Sequence, residues 1–292
     1  MSTAEPQNFD QIQRFLVEGT PVRGELVQLE TSYQQIIKQQ AYPVGIQKVL
    51  GELLAAVTLI TETLKLEGTL SLEVRSSAAV SLLMAESNPG GDVRALARWQ
   101  AAQIQTQAQV SLGDLVGDQG HLVITLDPKK GKRYQGIVAL SSPNLAECLQ
   151  DYFSQSEQLP TRFWLMADPA QGRAAGLLLQ SLPMQAGDDE DAWSRLTQLA
   201  DTLKAEEALQ LEAQTVLYRL YHEETVRVFP AKTLQFACTC SRERTQDALL
   251  GLGAQEVESI LAEQGQIETQ CQFCHTQYVF TEQDLRPYLS VH

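Results

Sequence analysis

Four of the chain's five cysteines, Cys238, Cys240, Cys271 and Cys274, fall within its last 55 residues. They form a C-x-C pair and a C-x-x-C pair, thirty residues apart. Two such pairs offer four soft ligands from two short turns, and tetrahedral thiolate coordination suits zinc above the other common ions, at Zn–S of about 2.3 Å. Four protein ligands leave no open position for water, which disfavours hydrolytic zinc chemistry. Clustered cysteines in a large chain of intracellular character point to a metal ahead of structural disulfides. Cys271-Gln272-Phe273-Cys274-His275 also matches the C-x-x-C-H pattern of c-type haem attachment. That chemistry goes with export, however, and leaves Cys238 and Cys240 unexplained. A thioredoxin-like reading lacks its βαβ context, and His275 reads as an exposed neighbour of a site already full. The fifth thiol, Cys148, shares helical spacing with Leu145, Leu149 and Tyr152 and reads as a small buried apolar residue.

The elements that must position the thiols are short. Ser241 can cap a helix that ends at Gly251, and Ala254 to Gln264 make a second helix ended by Gly265. Ile267 to Gln270 and Tyr278 to Phe280 read as strands flanking Cys271 and Cys274, and Thr281 to Asp284 has capping-box spacing. A unit of this size has a marginal core and is expected to need a metal. Structural zinc contributes ~10–16 kcal/mol of apparent binding energy, against a whole-domain stability of ~5–15 kcal/mol. Loss of the metal should therefore unfold residues 230–292.

Upstream, residues 183–229 open on an acidic turn, PMQAGDDED, and carry ten acidic and four basic side chains. Two helical patterns follow. Trp193, Leu196, Leu199, Ala200 and Leu203 share one face, as do Leu209, Ala213, Val216, Leu217 and Leu220 in the second. These stripes are expected to pack on the preceding domain and, if released, to offer apolar surface. Residues 1–182 form a mixed domain. RGELVQLE, TLSLEVRSS, VSLLMAES, HLVITLD, YQGIVALSS, TRFWLMAD and AAGLLLQSL read as strands. Pro43 opens a long helix with Gly68 as its stop, and another helix covers 143–156. NPGGD and PKKGKR are turns. The expected class is α+β: an N-terminal mixed domain (1–182), a helical linker (183–229) and a small four-cysteine zinc domain (230–292).

The 292 residues carry 36 Asp and Glu against 22 Lys and Arg, a net charge of −14. Such a balance is poorly suited to sequence-independent nucleic-acid binding, and four thiolates on a zinc ion add a further formal −2. No apolar run reaches the ~18 residues of a membrane span, and the start has no basic-then-apolar secretory pattern. No Walker or dinucleotide glycine pattern, Ser-His-Asp set or paired-carboxylate constellation can be placed, so an enzyme is not expected.

FACTCS (236–241) and the stretch RERTQDALLGLGAQEVESILAEQGQIETQCQFCHTQYVF closely resemble the zinc domain of the heat shock protein 33 family. The similarity continues through RGELVQLETSY, GELLAAVTLI, LKLEGTLSLEV, RYQGIVAL, LAECLQDYFSQSEQLPTRFWL and AAGLLLQSLP. The resemblance implies a cytoplasmic, ATP-independent holdase chaperone that is inactive when reduced and zinc-bound. It implies one zinc per chain on Cys238, Cys240, Cys271 and Cys274, and oxidation to disulfides Cys238–Cys240 and Cys271–Cys274 with zinc release. The linker then loosens and the protein binds unfolded clients, often as a homodimer. His275 departs from the small or polar residue common in the family at that position, and no switch role is implied for Cys148. Disulfides this local close only tiny loops and cannot replace the long-range tie of the metal. The residues we expect to meet clients are Trp193, Leu196, Leu203, Leu209, Val216, Leu217 and Leu220. A static zinc module that recruits a partner protein is the alternative, and under it oxidation would abolish binding.

Overall fold

The computed structural model describes residues 9–64, 67–100, 110–117 and 120–289, and the chain divides into two compact units between Phe236 and Ala237. The first unit begins with a hairpin of β1 (Gln11–Val17) and β2 (Val22–Leu29), then α1 (Thr31–Ile37) and α2 (Val44–Thr63). Next come β3 (Gly68–Arg75), β4 (Val80–Ser87), β5 (Asp92–Trp99), α3 (Leu112–Val116), β6 (His121–Pro128) and β7 (Tyr134–Ala139). α4 (Leu145–Tyr152) runs into a π-helical turn over Phe153–Glu157, ahead of β8 (Thr161–Asp168) and β9 (Arg173–Ser181). The unit closes with α5 (Ala192–Ala200), α6 (Ala205–Gln210), α7 (Ala213–Tyr221), β10 (Val226–Val228), β11 (Lys232–Thr233) and β12 (Gln235–Phe236).

One sheet has the order β10-β1-β2-β9-β8, with β11 also on β1; the other runs β12-β5-β4-β3-β6-β7. The pairing is antiparallel except where β12 joins β5. This is the expected α+β class. α2 packs against β2, β8 and β9 of one sheet and β3, β4 and β5 of the other, so most of its circumference is apolar and buried. By length and composition alone it is long and apolar enough to cross a membrane, although no unbroken apolar run in it reaches 18 residues. Lys48, Glu52 and Glu62 interrupt the helix. Yet 78% of its most apolar window is buried inside the protein, as befits a core helix. The helix also ends earlier than expected, at Thr63. Gly68 is no stop signal but the first residue of β3, where a Cβ would run into the backbone of Asp127 on β6. The helix expected over 143–156 is likewise shorter, its last turn widening into the π-helical segment.

The first sheet is buried on both faces, and the two-residue period of its strands divides the side chains between two cores. Val27, Leu29, Ala174 and Leu178 face α2, whereas Val22, Leu26, Ala175, Leu177 and Leu179 face α5, α6 and α7. The linker stripes therefore meet a sheet face, as expected, but through three helices and not two. Lys204 and Leu211 take extended backbone and break the second pattern, and Leu203 lies beyond the end of α5.

The second unit contains α8 (Arg242–Leu250), α9 (Ala254–Gln264), the hairpin β13 (Gln266–Gln270) with β14 (Gln277–Thr281), and α10 (Glu282–Leu289). Gly253 and Gly265 bracket α9 with φ of +97° and +78°, a conformation that favours glycine at such boundaries. Its core is five buried side chains, Val257, Leu261, Ile267, Phe280 and Leu285.

Candidate metal centre

Cys238 and Cys240 lie on the irregular stretch that enters α8, and Cys271 and Cys274 on the turn between β13 and β14. Each turn is fixed by its own hydrogen bonds. Ser241 caps α8 by accepting from the Arg244 amide at 3.2 Å, and the Arg244 guanidinium donates to the Thr239 carbonyl at 2.9 Å, between the two cysteines. In the hairpin, the Cys271 amide donates to the Thr276 carbonyl and the His275 amide to the Cys271 carbonyl, each at 2.9 Å. His275 sits at φ +56°, the left-handed conformation that reverses the chain there. Arg242, first in α8, stacks on the Phe280 ring at 4.4 Å, donates to the Val279 carbonyl at 2.7 Å and pairs with Asp284 at 3.1 Å. Asp284 in turn accepts from the Thr281 amide and hydroxyl, each at 2.8 Å, one half of the capping box whose spacing the sequence carries. One arginine thus ties the first cysteine turn to the hairpin that carries the second.

The result brings all four sulfurs within 4.8 Å of one another, each half-buried and none in a disulfide. The short contacts run between the motifs: Cys238 to Cys271 at 3.6 Å and Cys240 to Cys274 at 3.3 Å. A tetrahedron with metal–sulfur bonds of about 2.3 Å has edges of about 3.8 Å, close to these contacts, so the four thiols could hold a metal ion. Further donors surround them. The Tyr278 hydroxyl donates to Cys240 Sγ at 3.1 Å, the Thr276 hydroxyl lies 3.2 Å from Cys274 Sγ, and the Cys240 and Thr276 amides reach the sulfurs of Cys238 and Cys274. Such outer contacts orient ligands and tune a centre.

The same contacts divide the thiols electrostatically. Burial pushes Cys238 up to about 12 and raises Cys240 as well. Burial opposes ionisation of Cys274 too, but the Thr276 hydroxyl and amide, with the Cys240 and Cys238 thiols, together outweigh it and bring that thiol down to about 6. Tyr278, held by Cys240, is raised to about 12 and stays a donor at neutral pH.

His275 is half-buried, not exposed as the sequence suggested, and its Nε2 is enclosed without a hydrogen-bond partner. Its imidazole is not among the clustered ligand atoms. Cys148 is fully buried in the first unit, with its thiol 3.3 Å from the Ser142 carbonyl. Leu196, Leu203, Leu209, Val216, Leu217 and Leu220 are all buried in the core between the helices and the sheet, with Trp193 partly buried beside them. Sequence reasoning missed Tyr278 and Thr276 as partners of the sulfurs. Their positions four and two residues beyond Cys274, on and just before the strand leaving a knuckle, were the available signal.

The sequence model of a family described as Hsp33 protein matches residues 10–281. A 33 kDa chaperonin of Pseudomonas paraeruginosa is 52% identical over 281 residues, covering 94% of this chain and 93% of its own. A protein of the same name from Shewanella baltica is 48% identical over 278 residues, 95% of each. Among solved structures, the crystal structure of the 33 kDa chaperonin from Thermotoga maritima matches the fold with a TM-score of 0.78 at 24% identity, over 96% of this chain and 98% of that one.

Proposed function

The chain belongs to the Hsp33 family of chaperones, and from that premise we propose that it is a redox-regulated, ATP-independent holdase whose switch is the four-cysteine centre. The observation that carries the proposal is the meeting of four cysteine thiols within 4.8 Å on a unit whose buried apolar core is five side chains. In the resting protein, Cys238, Cys240, Cys271 and Cys274 hold one zinc ion. Zinc, when bound, supplies the tie between two turns that the small core cannot hold together.

Oxidation removes the ligands. Two thiolates lose two electrons and join as a disulfide, while one peroxide takes those electrons and two protons and becomes two waters. Two such events consume all four thiolates. The in-motif pairing, Cys238–Cys240 and Cys271–Cys274, carries over from the family resemblance. It replaces the contacts between the motifs, Cys238 to Cys271 and Cys240 to Cys274, by bonds within each. We further infer that the faces of α5, α6 and α7 leave the first sheet on activation and become client surface. Trp193, Leu196, Leu203, Leu209, Val216, Leu217 and Leu220 would then contact unfolded proteins. Homodimerisation accompanies this exposure. A thiol-based resting state requires a reducing compartment, so the cytoplasm is the proposed site of action.

The test is aggregation of a thermally unfolding client, followed with reduced and with peroxide-treated protein while zinc release and free thiols are counted in parallel. Suppression that rises with zinc release supports the switch. Binding that is lost on oxidation moves the static recruitment module ahead.

A further inference from the structure

The turn between β6 and β7 stands apart from the rest of this acidic protein. Lys129, Lys130, Lys132 and Arg133 occupy four of five consecutive positions, and all are exposed. The remaining residues total −18, the chain's −14 less these four positive charges. Among the described residues none of the four forms an ion pair within 4.0 Å. The strand that follows, Tyr-Gln-Gly-Ile-Val-Ala, is, among the described residues, the terminal strand of its sheet, paired with β6 on one side. It carries no charge of its own, and Ile137 is 75% exposed and Tyr134 51%. Natural edge strands of this kind are normally blunted by a charge, a proline or a bulge within the strand, since open backbone groups beside β-branched side chains capture other strands. β7 has none of these; its cations lie beyond its N-terminal end, where they attract without blocking the edge.

We propose that the free edge of β7, together with Lys129–Arg133, is a docking strand for an extended polypeptide segment in which acidic residues follow a short apolar stretch. The edge supplies main-chain hydrogen bonds, Ile137 supplies apolar contact, and the basic turn selects the sign of the partner's charge. Antiparallel pairing, the more stable kind, brings the C-terminal end of an added strand to the N-terminal end of β7, so the acidic residues come after the apolar ones. A flexible polyanion without a peptide backbone would meet the cations but could not use the edge. The proposal rests on the chaperone reading for its use, as a first contact with unfolded clients. It differs in that the edge is open while the thiols are reduced.

The test uses the full-length, reduced, zinc-loaded protein and a labelled peptide of about ten residues, alternating Val and Thr and ending in four Glu. Fluorescence anisotropy should detect binding. Replacing all four basic residues by Glu should weaken it roughly tenfold or more, as should 0.5 M salt. Ile137→Lys, which adds a positive charge, should nevertheless weaken it, and Ile137→Thr should retain part of the affinity. Thermal unfolding of each variant checks that the fold survives. Equal binding of a plain oligoglutamate, or indifference to Ile137→Lys, overturns the proposal in favour of a simple anion patch. A concentration-dependent dimer that Ile137→Lys abolishes, with no peptide bound, assigns the edge to a second copy and also overturns it. No oxidant or client enters the measurement, so failure of the redox switch leaves its outcome unchanged.

Discussion

Gln28, buried in β2, donates through its side-chain nitrogen to the carbonyl of Leu211 at 2.7 Å, and to that of Ala208 at 2.8 Å. One amide thus holds the end of α6 and the bend into α7 against the sheet. Arg173 of β9 supports the same point by donating to the Leu209 carbonyl at 3.1 Å while pairing with Glu30 at 3.0 Å. Buried carbonyls left without a donor cost ~1–3 kcal/mol. Gln28→Ala should therefore loosen α6 and α7 while leaving α2 and the second sheet intact. Leu217→Glu attacks the same packing by placing a carboxylate where a leucine is 2% exposed. Both variants should raise aggregation suppression and hydrophobic-dye binding in the strictly reduced protein. If both stay as inactive as the parent while the first unit remains folded, the docked helices do not restrain activity.

Removing the metal should unfold the second unit alone. The apparent binding energy of structural zinc, ~10–16 kcal/mol, equals or exceeds the stability of an ordinary domain. Hydrogen exchange after chelation should rise by orders of magnitude across α9 and the β13–β14 hairpin and change little in α2. Cys238→Ser/Cys271→Ser should abolish zinc binding, whereas Cys148→Ala should leave one zinc per chain. Full occupancy in the double variant would sink the ligand assignment.

How much of this was legible in the sequence depends on how local the signal was. α9 was read to the residue, with Gly265 marking its end, and the cysteine hairpin because turn and strands lie within sixteen residues. β1 was missed because Gln11 and Gln13 occupy alternate positions of a strand buried on both faces, where no polar side would be expected. β5 was missed because its inward residues are Val93, Ala95 and Ala97, and alanine gives strands little signature. The division of the linker into three helices depends on Gln28 and Arg173, which are far away in sequence. For the centre, ligand type and spacing were readable, while the donors that surround the sulfurs needed the fold.

The Tyr278 hydroxyl on Cys240 should slow oxidation of the centre. A hydrogen bond to a thiolate draws charge from the sulfur that must attack the peroxide, and nucleophilicity falls with that charge. Tyr278→Phe keeps the ring in place and removes only the donor. A hydrogen bond of ~1 kcal/mol corresponds to roughly a fivefold change in rate. Zinc release by peroxide, followed with a chelating dye, should be faster by about that factor. An unchanged or slower release would leave the hydroxyl a structural role only.

Glu25 makes stability of the first unit depend on pH. Its side chain is 3% exposed and one carboxylate oxygen has no hydrogen-bond partner. Burial raises its pKa from 4.5 to about 8, with Arg23, Arg14 and Lys232 opposing the shift and Glu62 adding to it. Between those two values the folded chain keeps a proton that the unfolded chain has released, so raising the pH favours unfolding. The protonated carboxyl is fully compatible with the fold near pH 4.5, and the loss grows until about pH 8, reaching ~3 kcal/mol at pH 7. Glu25→Gln keeps the shape and removes the ionisation. Denaturant unfolding of the first unit at pH 5.5 and pH 8 should show the parent weakening as pH rises and the variant weakening much less, with the two closest at the lower pH. A parent whose stability rises across this window while the variant follows it in parallel would show that Glu25 is ionised in the folded protein, stabilised by Arg14, Arg23 and Lys232.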